Sequence, residues 1–183
     1  KAFAIGLADN IEWTKEQIDY LRNYTCIASH SGGRDSTCMV LKLLELEYPL
    51  DAVICVDLGA EFECIYDVIT RIKEFCELRG IPYYIIKPER DFNYYMCEKE
   101  VHKRDGTVQY GYKWCGRQVR WGTTLKLKTI NDFYRKTYGK KKIVEYVGIA
   151  ANEAGRIDKC GSHIKVYPLI EWQLNLLILS YYI

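Results

Sequence analysis

The segment from Thr25 to Thr37 constrains the fold of this chain more than any other part of the sequence. It begins with Thr25-Cys26-Ile27-Ala28, a short and continuous apolar run that is typical of a buried strand. Ser29-His30-Ser31-Gly32-Gly33-Arg34-Asp35-Ser36-Thr37 follows, and beyond it apolar residues recur at helical spacing. This succession of strand, glycine-rich turn and helix predicts a βα unit whose turn lies at the carboxyl end of a central strand.

The turn has the composition of a phosphate-binding loop. Two adjacent glycines allow a tight turn and a close approach of the backbone to an anion. The helix that follows offers free N–H groups and the positive end of its dipole. The loop matches neither the Walker A pattern nor the dinucleotide pattern G-x-G-x-x-G. The alternative is a glycine-rich turn that only caps a helix. The residues predicted to bind phosphate are Ser29, Ser31, Gly32, Gly33, Arg34, Asp35 and Ser36.

The rest of the chain extends this unit into an α/β sheet. The apolar runs do not alternate with polar residues, as expected when helices cover both faces of a parallel sheet. We therefore predict a doubly wound, mostly parallel, Rossmann-like five-stranded sheet, with a helical lead-in at 1–24 and a nucleotide-binding domain at 25–183. Strands are predicted at 25–28, 52–56, 82–86, 144–149 and 165–169, helices at 14–23, from 36, at 63–79 and at 116–138, and an irregular excursion at 87–112.

Cysteine spacing and charge narrow the class of protein. The eight cysteines lie far apart with no C-x-x-C pair, so we expect mostly reduced core residues and no closed zinc or iron–sulfur site. A net charge of +2 does not indicate nucleic acid, although it leaves such a partner open. No apolar run approaches the ~20 residues of a membrane span, and the first residues do not resemble a secretory signal. We expect a cytoplasmic protein.

Four further segments resemble a known family, in the family's own order. They are Asp57-Leu58-Gly59-Ala60-Glu61-Phe62 with Tyr66, Trp114-Cys115-Gly116-Arg117-Gln118-Val119-Arg120, Gly148 to Arg156, and Tyr167-Pro168-Leu169-Ile170-Glu171-Trp172. Together with Ser31-Gly32-Gly33-Arg34-Asp35-Ser36 they resemble the phosphoadenosine phosphosulfate (PAPS) reductase family, within the adenine nucleotide α-hydrolase-like superfamily. The resemblance runs from about Cys26 to Trp172.

The resemblance implies a set of site residues. The loop would hold the phosphate or sulfate end of an adenine nucleotide, and Asp57 and Gly59 would border it. Asp57 could also receive a ribose hydroxyl or help hold Mg²⁺, or it could be a solvated turn residue. Arg117 and Arg120 would clamp a phosphate or sulfate. Further expected contacts are Gly148, Glu153 and Arg156; no metal site is assigned, and the candidates for catalysis are Arg117, Arg120 and Cys115.

The chain also departs from the family. It lacks the carboxy-terminal E-C-G-x-H segment whose cysteine attacks the sulfonyl group, and it lacks the paired cysteines of the iron–sulfur relatives. Ala150 stands where the family has arginine. Cys160, beside Gly161 and His163, precedes Tyr167 and is not assigned as a nucleophile. Because the family continues well past its Y-P-L-x-x-W segment, we expect that the chain is truncated at its C-terminus.

Three functions therefore stay open. PAPS or a related adenylyl sulfate could pass sulfur to a thiol, with a protein thiol donor as partner. Alternatively, ATP, with Mg²⁺, could be cleaved between its α and β phosphates to adenylate an acceptor, as in the ATP sulfurylase small subunit or in nucleic-acid sulfur modification. The third function is a non-catalytic nucleotide-binding module in a complex. A homo-oligomer or a partner subunit is compatible with all three.

Overall fold

Five parallel strands and the helices that connect them form the body of the protein. The computed structural model describes residues 13–116, 119–157 and 163–173. In chain order the elements are α1 (Lys15–Leu21), β1 (Thr25–Ser29), α2 (Arg34–Glu45), β2 (Ala52–Val56), α3 (Glu63–Glu77), β3 (Tyr83–Ile86), a π-helix (Tyr94–Glu98), β4 (Glu100–His102), β5 (Val108–Tyr110), α4 (Trp121–Tyr138), β6 (Ile143–Val147), a 3₁₀-helix (Ala151–Arg156), β7 (Ile164–Val166) and α5 (Pro168–Glu171).

The sheet has the strand order β3-β2-β1-β6-β7, and every neighbouring pair is parallel. The chain winds outward from β1 through α2, β2, α3 and β3, and then crosses to the other side of β1 through α4 and β6. The predicted doubly wound α/β fold is confirmed. Its strand order reverses between β1 and β6, and in open α/β sheets this is where ligands bind, beyond the carboxyl ends of the strands.

Side chains of β1 point alternately to the two faces of the sheet, and each face has its own core. Cys26 and Ala28 pack with α2, α3 and α5 in the larger cluster. Ile27 packs on the other face with Ile130 and Tyr134 of α4. All five are at most 9% exposed. The sheet is thus covered on both sides, as its unbroken apolar strands predict.

The N-terminal helix is part of this core. Thr14 caps α1, and the reciprocal bond from the backbone N–H of Thr14 to the side chain of Gln17 completes a capping box. Trp13 is 7% exposed and stacks on Tyr48 with 4.7 Å between ring centroids. The division into 1–24 and 25–183 stays a prediction, although Trp13 packs directly on the second of these segments.

The strand predicted at 144–149 runs from Ile143 to Val147, and three further predictions about element bounds are wrong. Residues 87–112 are not wholly irregular, because they contain the π-helix and the antiparallel hairpin of β4 and β5. The last helix begins at Trp121 instead of Gly116, since Gly116 and Val119 exchange two backbone hydrogen bonds with each other before it. The last strand ends at Val166, because Pro168 occupies the first turn of α5.

The described cysteines are all free thiols. Cys26, Cys38, Cys55 and Cys76 are buried, which confirms them as core residues, whereas Cys64 and Cys97 are exposed. Burial raises the pKa of Cys38, Cys55 and Cys76 to about 11. Cys160 lies outside the described residues. In the part of the chain that the structure describes, no helix is both long and apolar enough to cross a membrane.

Candidate functional site

The loop after β1 is held in shape by the hydroxyl of Ser36. This hydroxyl accepts a hydrogen bond from the Ser31 N–H at 3.1 Å and donates to the Gly33 carbonyl at 3.0 Å. It also lies 3.0 Å from the Ser31 hydroxyl. Ser36 was predicted to contact phosphate, but its one proton is used inside the loop. We conclude that Ser36 shapes the loop, while the exposed Ser31 hydroxyl and the backbone face the solvent side.

The two loop glycines have different structural roles. Gly32 has a φ of +74°, and a β-carbon there would lie 2.6 Å from Cγ2 of Ile65 on α3. Gly33 has an extended backbone, with φ −76° and ψ 157°, and a β-carbon there would meet only the Ser31 hydroxyl, at 3.4 Å. Of these two positions, only position 32 requires glycine.

Gly33 is also the N-cap of α2, and no side chain caps the first turn of this helix. The amides of that turn need partners, and the dipole of a 12-residue helix favours a negative one. Asp35, whose side chain pairs with Arg34 Nε at 3.5 Å, lies in the same turn. The geometry leaves room at Gly33 for an anion to serve as the cap.

His30 anchors the loop from below. It is 3% exposed, and its two ring nitrogens are hydrogen-bonded to the hydroxyl of Tyr83 on β3 and, at 2.9 Å, to that of Thr37 on α2. Burial lowers the pKa of His30 to about 4. A neutral histidine thus ties the start of α2 to the sheet. The sequence analysis missed this residue, although a histidine directly after an apolar strand is the signal that marks it.

Asp57 lies at the carboxyl end of β2 and holds the turn that follows. Its Oδ1 accepts hydrogen bonds from the Gly59 N–H at 2.7 Å and the Tyr66 hydroxyl at 2.9 Å. Its Oδ2 pairs with Lys87 Nζ at 3.2 Å. Burial alone raises the pKa of Asp57, but these three donors together lower it below its ordinary value. At 8% exposure Asp57 is not a solvated turn residue.

At the end of β6 the chain packs directly against the loop. A β-carbon on Gly148 would lie 2.7 Å from Cα and 2.9 Å from N of Ser36. Glu153 and Arg156 form an ion pair across the 3₁₀-helix, and their side chains remain 35% and 68% exposed. Ala150 is fully buried. Gly148 therefore packs against the loop, and the charge of Arg156 is paired with that of Glu153.

Ser29 faces away from the loop. Its hydroxyl donates to Oε1 of Glu145 at 2.5 Å, on the face of the sheet that α4 covers. Glu145 is 5% exposed and lies on β6, directly beside β1. The prediction that the Ser29 side chain contacts phosphate does not match this geometry. Glu145 was missed, although a carboxylate inside the apolar run 143–147 was visible in the sequence.

Cys115 and Arg120 line one small cavity of about 250 Å³. Lys126 and Glu61 line it as well and form an ion pair of 2.9 Å. The Cys115 thiol packs on the first turn of α4, where a β-carbon on Gly122 would approach it to 2.9 Å. Arg120 is the N-cap residue of that helix. Arg117 lies outside the described residues, so the proposed clamp of two arginines stays a prediction.

A larger cavity of about 740 Å³ opens beside Asp57 and Gly59. Its charged lining is mainly acidic, with four carboxylates against two cations: Asp57, Glu89, Asp91 and Glu98 against Lys87 and Arg90. Among the residues that the structure describes, no group of three or more His, Cys, Asp and Glu side chains is placed to hold a metal ion.

Comparison with known proteins supports the fold. No protein-family model and no curated protein sequence matches the chain. A solved structure, the U34-tRNA thiolase NcsA from Methanococcus maripaludis with its 4Fe–4S cluster, has a similar fold, with a TM-score of 0.51 and 19% sequence identity. The alignment covers 87% of this chain and 56% of that chain. This chain therefore spans little more than half the length of the thiolase.

Proposed function

We propose that this chain binds ATP with its phosphates at the start of α2, and that ATP is cleaved there between the α and β phosphates to adenylate an acceptor. The uncapped N-terminus of α2 at Gly33 is the observation that carries this proposal. Its position at the carboxyl end of β1, beside the reversal of strand order, is the usual place for a ligand in this class of sheet.

The chemistry requires stabilisation of a leaving pyrophosphate. An acceptor oxygen attacks the α-phosphorus, the bond to the bridging oxygen breaks, and negative charge builds on the β and γ phosphates. The first-turn amides of α2 are donors that would face that charge, and the half-exposed Arg34, paired with Asp35 in the same turn, adds a cation beside them. Ser36 and His30, both buried, and Gly148, which packs against Ser36, hold these donors in place and do not react themselves.

Magnesium ordinarily accompanies ATP and neutralises part of the phosphate charge. Asp57, at the carboxyl end of β2, fits this role by type, yet both its oxygens already have partners. Mg²⁺ would have to replace the Lys87 ammonium at Oδ2. We therefore assign Asp57 to the Gly59 turn, with Mg²⁺ held chiefly by the phosphates.

PAPS is the second candidate ligand, because the motif segments of this chain resemble PAPS reductases. Three observations favour ATP in its Mg²⁺ complex, because the metal neutralises part of the phosphate charge. The carboxylates of the larger cavity outnumber its cations, Ala150 removes an expected arginine, and Arg156 is already paired with Glu153. The similar fold of a tRNA thiolase supports the same choice, since that protein's name describes sulfur modification of a nucleic acid.

Calorimetric titration with Mg–ATP, PAPS and 3′,5′-ADP decides between the two. We expect Mg–ATP to bind more tightly than 3′,5′-ADP by at least about tenfold, which corresponds to ~1.4 kcal/mol. Tighter binding of PAPS and 3′,5′-ADP would contradict the ATP proposal and support a sulfonucleotide site. Release of pyrophosphate from ATP in the presence of an acceptor would show turnover.

A further inference from the structure

The hairpin of β4 and β5 and the segment after it expose aromatic and basic side chains together. Six of the chain's 26 Lys and Arg residues fall between Lys99 and Arg120, but only two of its 24 acidic residues do. Tyr110 is 68% exposed and Trp114 is 71% exposed. We call the surface formed by Lys103, Arg104, Tyr110, Lys113 and Trp114 the hairpin face.

These exposed rings stand on a rigid base. Between them the backbone is bonded to the π-helix and its end, with Gly111 N donating to Lys99 O at 2.7 Å and Tyr112 N donating to Tyr95 O at 2.9 Å. A β-carbon on Gly111 would come within 2.0 Å of a backbone oxygen of that helix. The backbone between the two exposed rings is therefore fixed to the π-helix.

Below the hairpin face lies a stack of aromatic rings. Tyr95 and Tyr112 both stack on Trp121, and Lys99 lies over both tyrosines at 5.1 and 4.8 Å. Trp114 meets this stack only edge to face, through Phe92 at 5.5 Å, so its ring is left largely open to solvent. The rings of the stack cover one another, whereas the ring of Trp114 stays accessible to a ligand.

The backbone before Trp114 adopts an uncommon conformation. Lys113 has a φ of +65°, in the left-handed region that residues other than glycine rarely adopt. The Trp121 indole donates to the Lys113 carbonyl at 3.0 Å and holds this conformation. Because of this backbone conformation, the Trp114 side chain lies on the outside. Cys115, the next residue, lines the 250 Å³ cavity together with Arg120.

We propose that the hairpin face binds a single-stranded polynucleotide. Exposed aromatic rings that stack on bases, flanked by cations that contact phosphates, are the combination that single strands require. A folded protein partner would not need the excess of positive charge. Only one part of this proposal rests on the proposed function, namely that the bound polynucleotide is the acceptor that is adenylated.

Fluorescence anisotropy with labelled single-stranded RNA and DNA of about 15 nucleotides tests the proposal, with heparin as a polyanion that has no bases. We expect Trp114→Ala and Tyr110→Ala each to weaken oligonucleotide binding at least about fivefold and to leave heparin binding unchanged. Trp114→Phe should restore most of the affinity. Tighter binding of RNA or of DNA identifies the sugar and supports the proposal in either case.

Matched variants separate stacking from charge. Tyr20→Ala, at an exposed tyrosine on α1, should not change binding. The double variant Lys103→Ala/Arg104→Ala should lower the salt dependence of binding by about 1.4 in the log–log slope, whereas Lys140→Ala/Lys141→Ala should not. Undiminished binding in Trp114→Ala, or an equal loss in Tyr20→Ala, overturns the proposal.

Titration of Mg–ATP into the same proteins keeps the two proposals apart. Trp114→Ala should bind Mg–ATP as the wild type does. If the wild type binds Mg–ATP but its oligonucleotide binding does not depend on Trp114 or Tyr110, the hairpin-face proposal fails alone. If oligonucleotides bind through Trp114 but Mg–ATP does not bind, the proposed function fails and the polynucleotide site stands.

Discussion

The hydrogen bonds of His30 connect the stability of the sheet to the shape of the loop. His30 bridges β3 and α2 through Tyr83 and Thr37, and it does so while almost completely buried. A buried imidazole resists protonation because its charged form loses hydration. The shape of the loop therefore depends on a histidine that is neutral near pH 7.

We therefore predict that the free energy of unfolding decreases as the pH falls from 6.5 toward about 4. The His30 pKa is about 4 in the folded chain and 6.5 as its ordinary value, so the unfolded chain takes up a proton first as the pH falls below 6.5. The loss approaches about 3 kcal/mol at pH 4. Denaturant unfolding of the wild type and His30→Gln at several pH values measures it. An equal pH dependence in both proteins would contradict the assignment.

At the scale of elements, the end of β6 and the start of α2 touch with no side chain between them. Gly148 brings its backbone to within van der Waals distance of Ser36, so the position of α2 depends on the close approach of β6. The same end of α2 carries the proposed phosphate site. Packing of these two elements and nucleotide binding are thus coupled.

Gly148→Ala should disturb both properties together. The added methyl would lie 2.7 Å from Ser36 Cα, so the two elements must separate, at a cost of about 1 to 3 kcal/mol. Thermal unfolding and Mg–ATP titration should both show a loss. Gly155→Ala is the control, because no heavy atom lies within 4 Å of a β-carbon there. If Gly148→Ala matched this control, the coupling would be disproved.

At the scale of the whole molecule, the sheet brings together parts that are distant in sequence. The loop after β1, Asp57 after β2, Lys87 after β3 and Gly148 after β6 all lie at the carboxyl edge of parallel strands. The predicted strands and helices were sufficient to place these residues on one edge, because parallel strands all end on the same side.

What the sequence could not predict is how individual side chains are used. Ser29 and Ser36 fit a phosphate loop by type, yet one bonds Glu145 and the other closes the loop, since hydroxyl direction depends on tertiary neighbours. The hairpin within 87–112 was missed because its strands are three residues each, too short for a periodic pattern. The base of the hairpin is held by hydrogen bonds from Gly111 to Lys99 and from Tyr112 to Tyr95, which form only in the folded protein.

The central claim, that an anion caps α2 at Gly33, is tested most directly by calorimetric titration of Mg–ATP into Gly32→Ala, Gly33→Ala and the wild type. Gly33→Ala should change the free energy of unfolding by less than about 1 kcal/mol, because its backbone is extended. It should nevertheless weaken ATP binding at least about tenfold, because the methyl group enters the phosphate site. Gly32→Ala should lose stability and binding together. Unchanged ATP affinity in a folded Gly33→Ala protein would contradict the account.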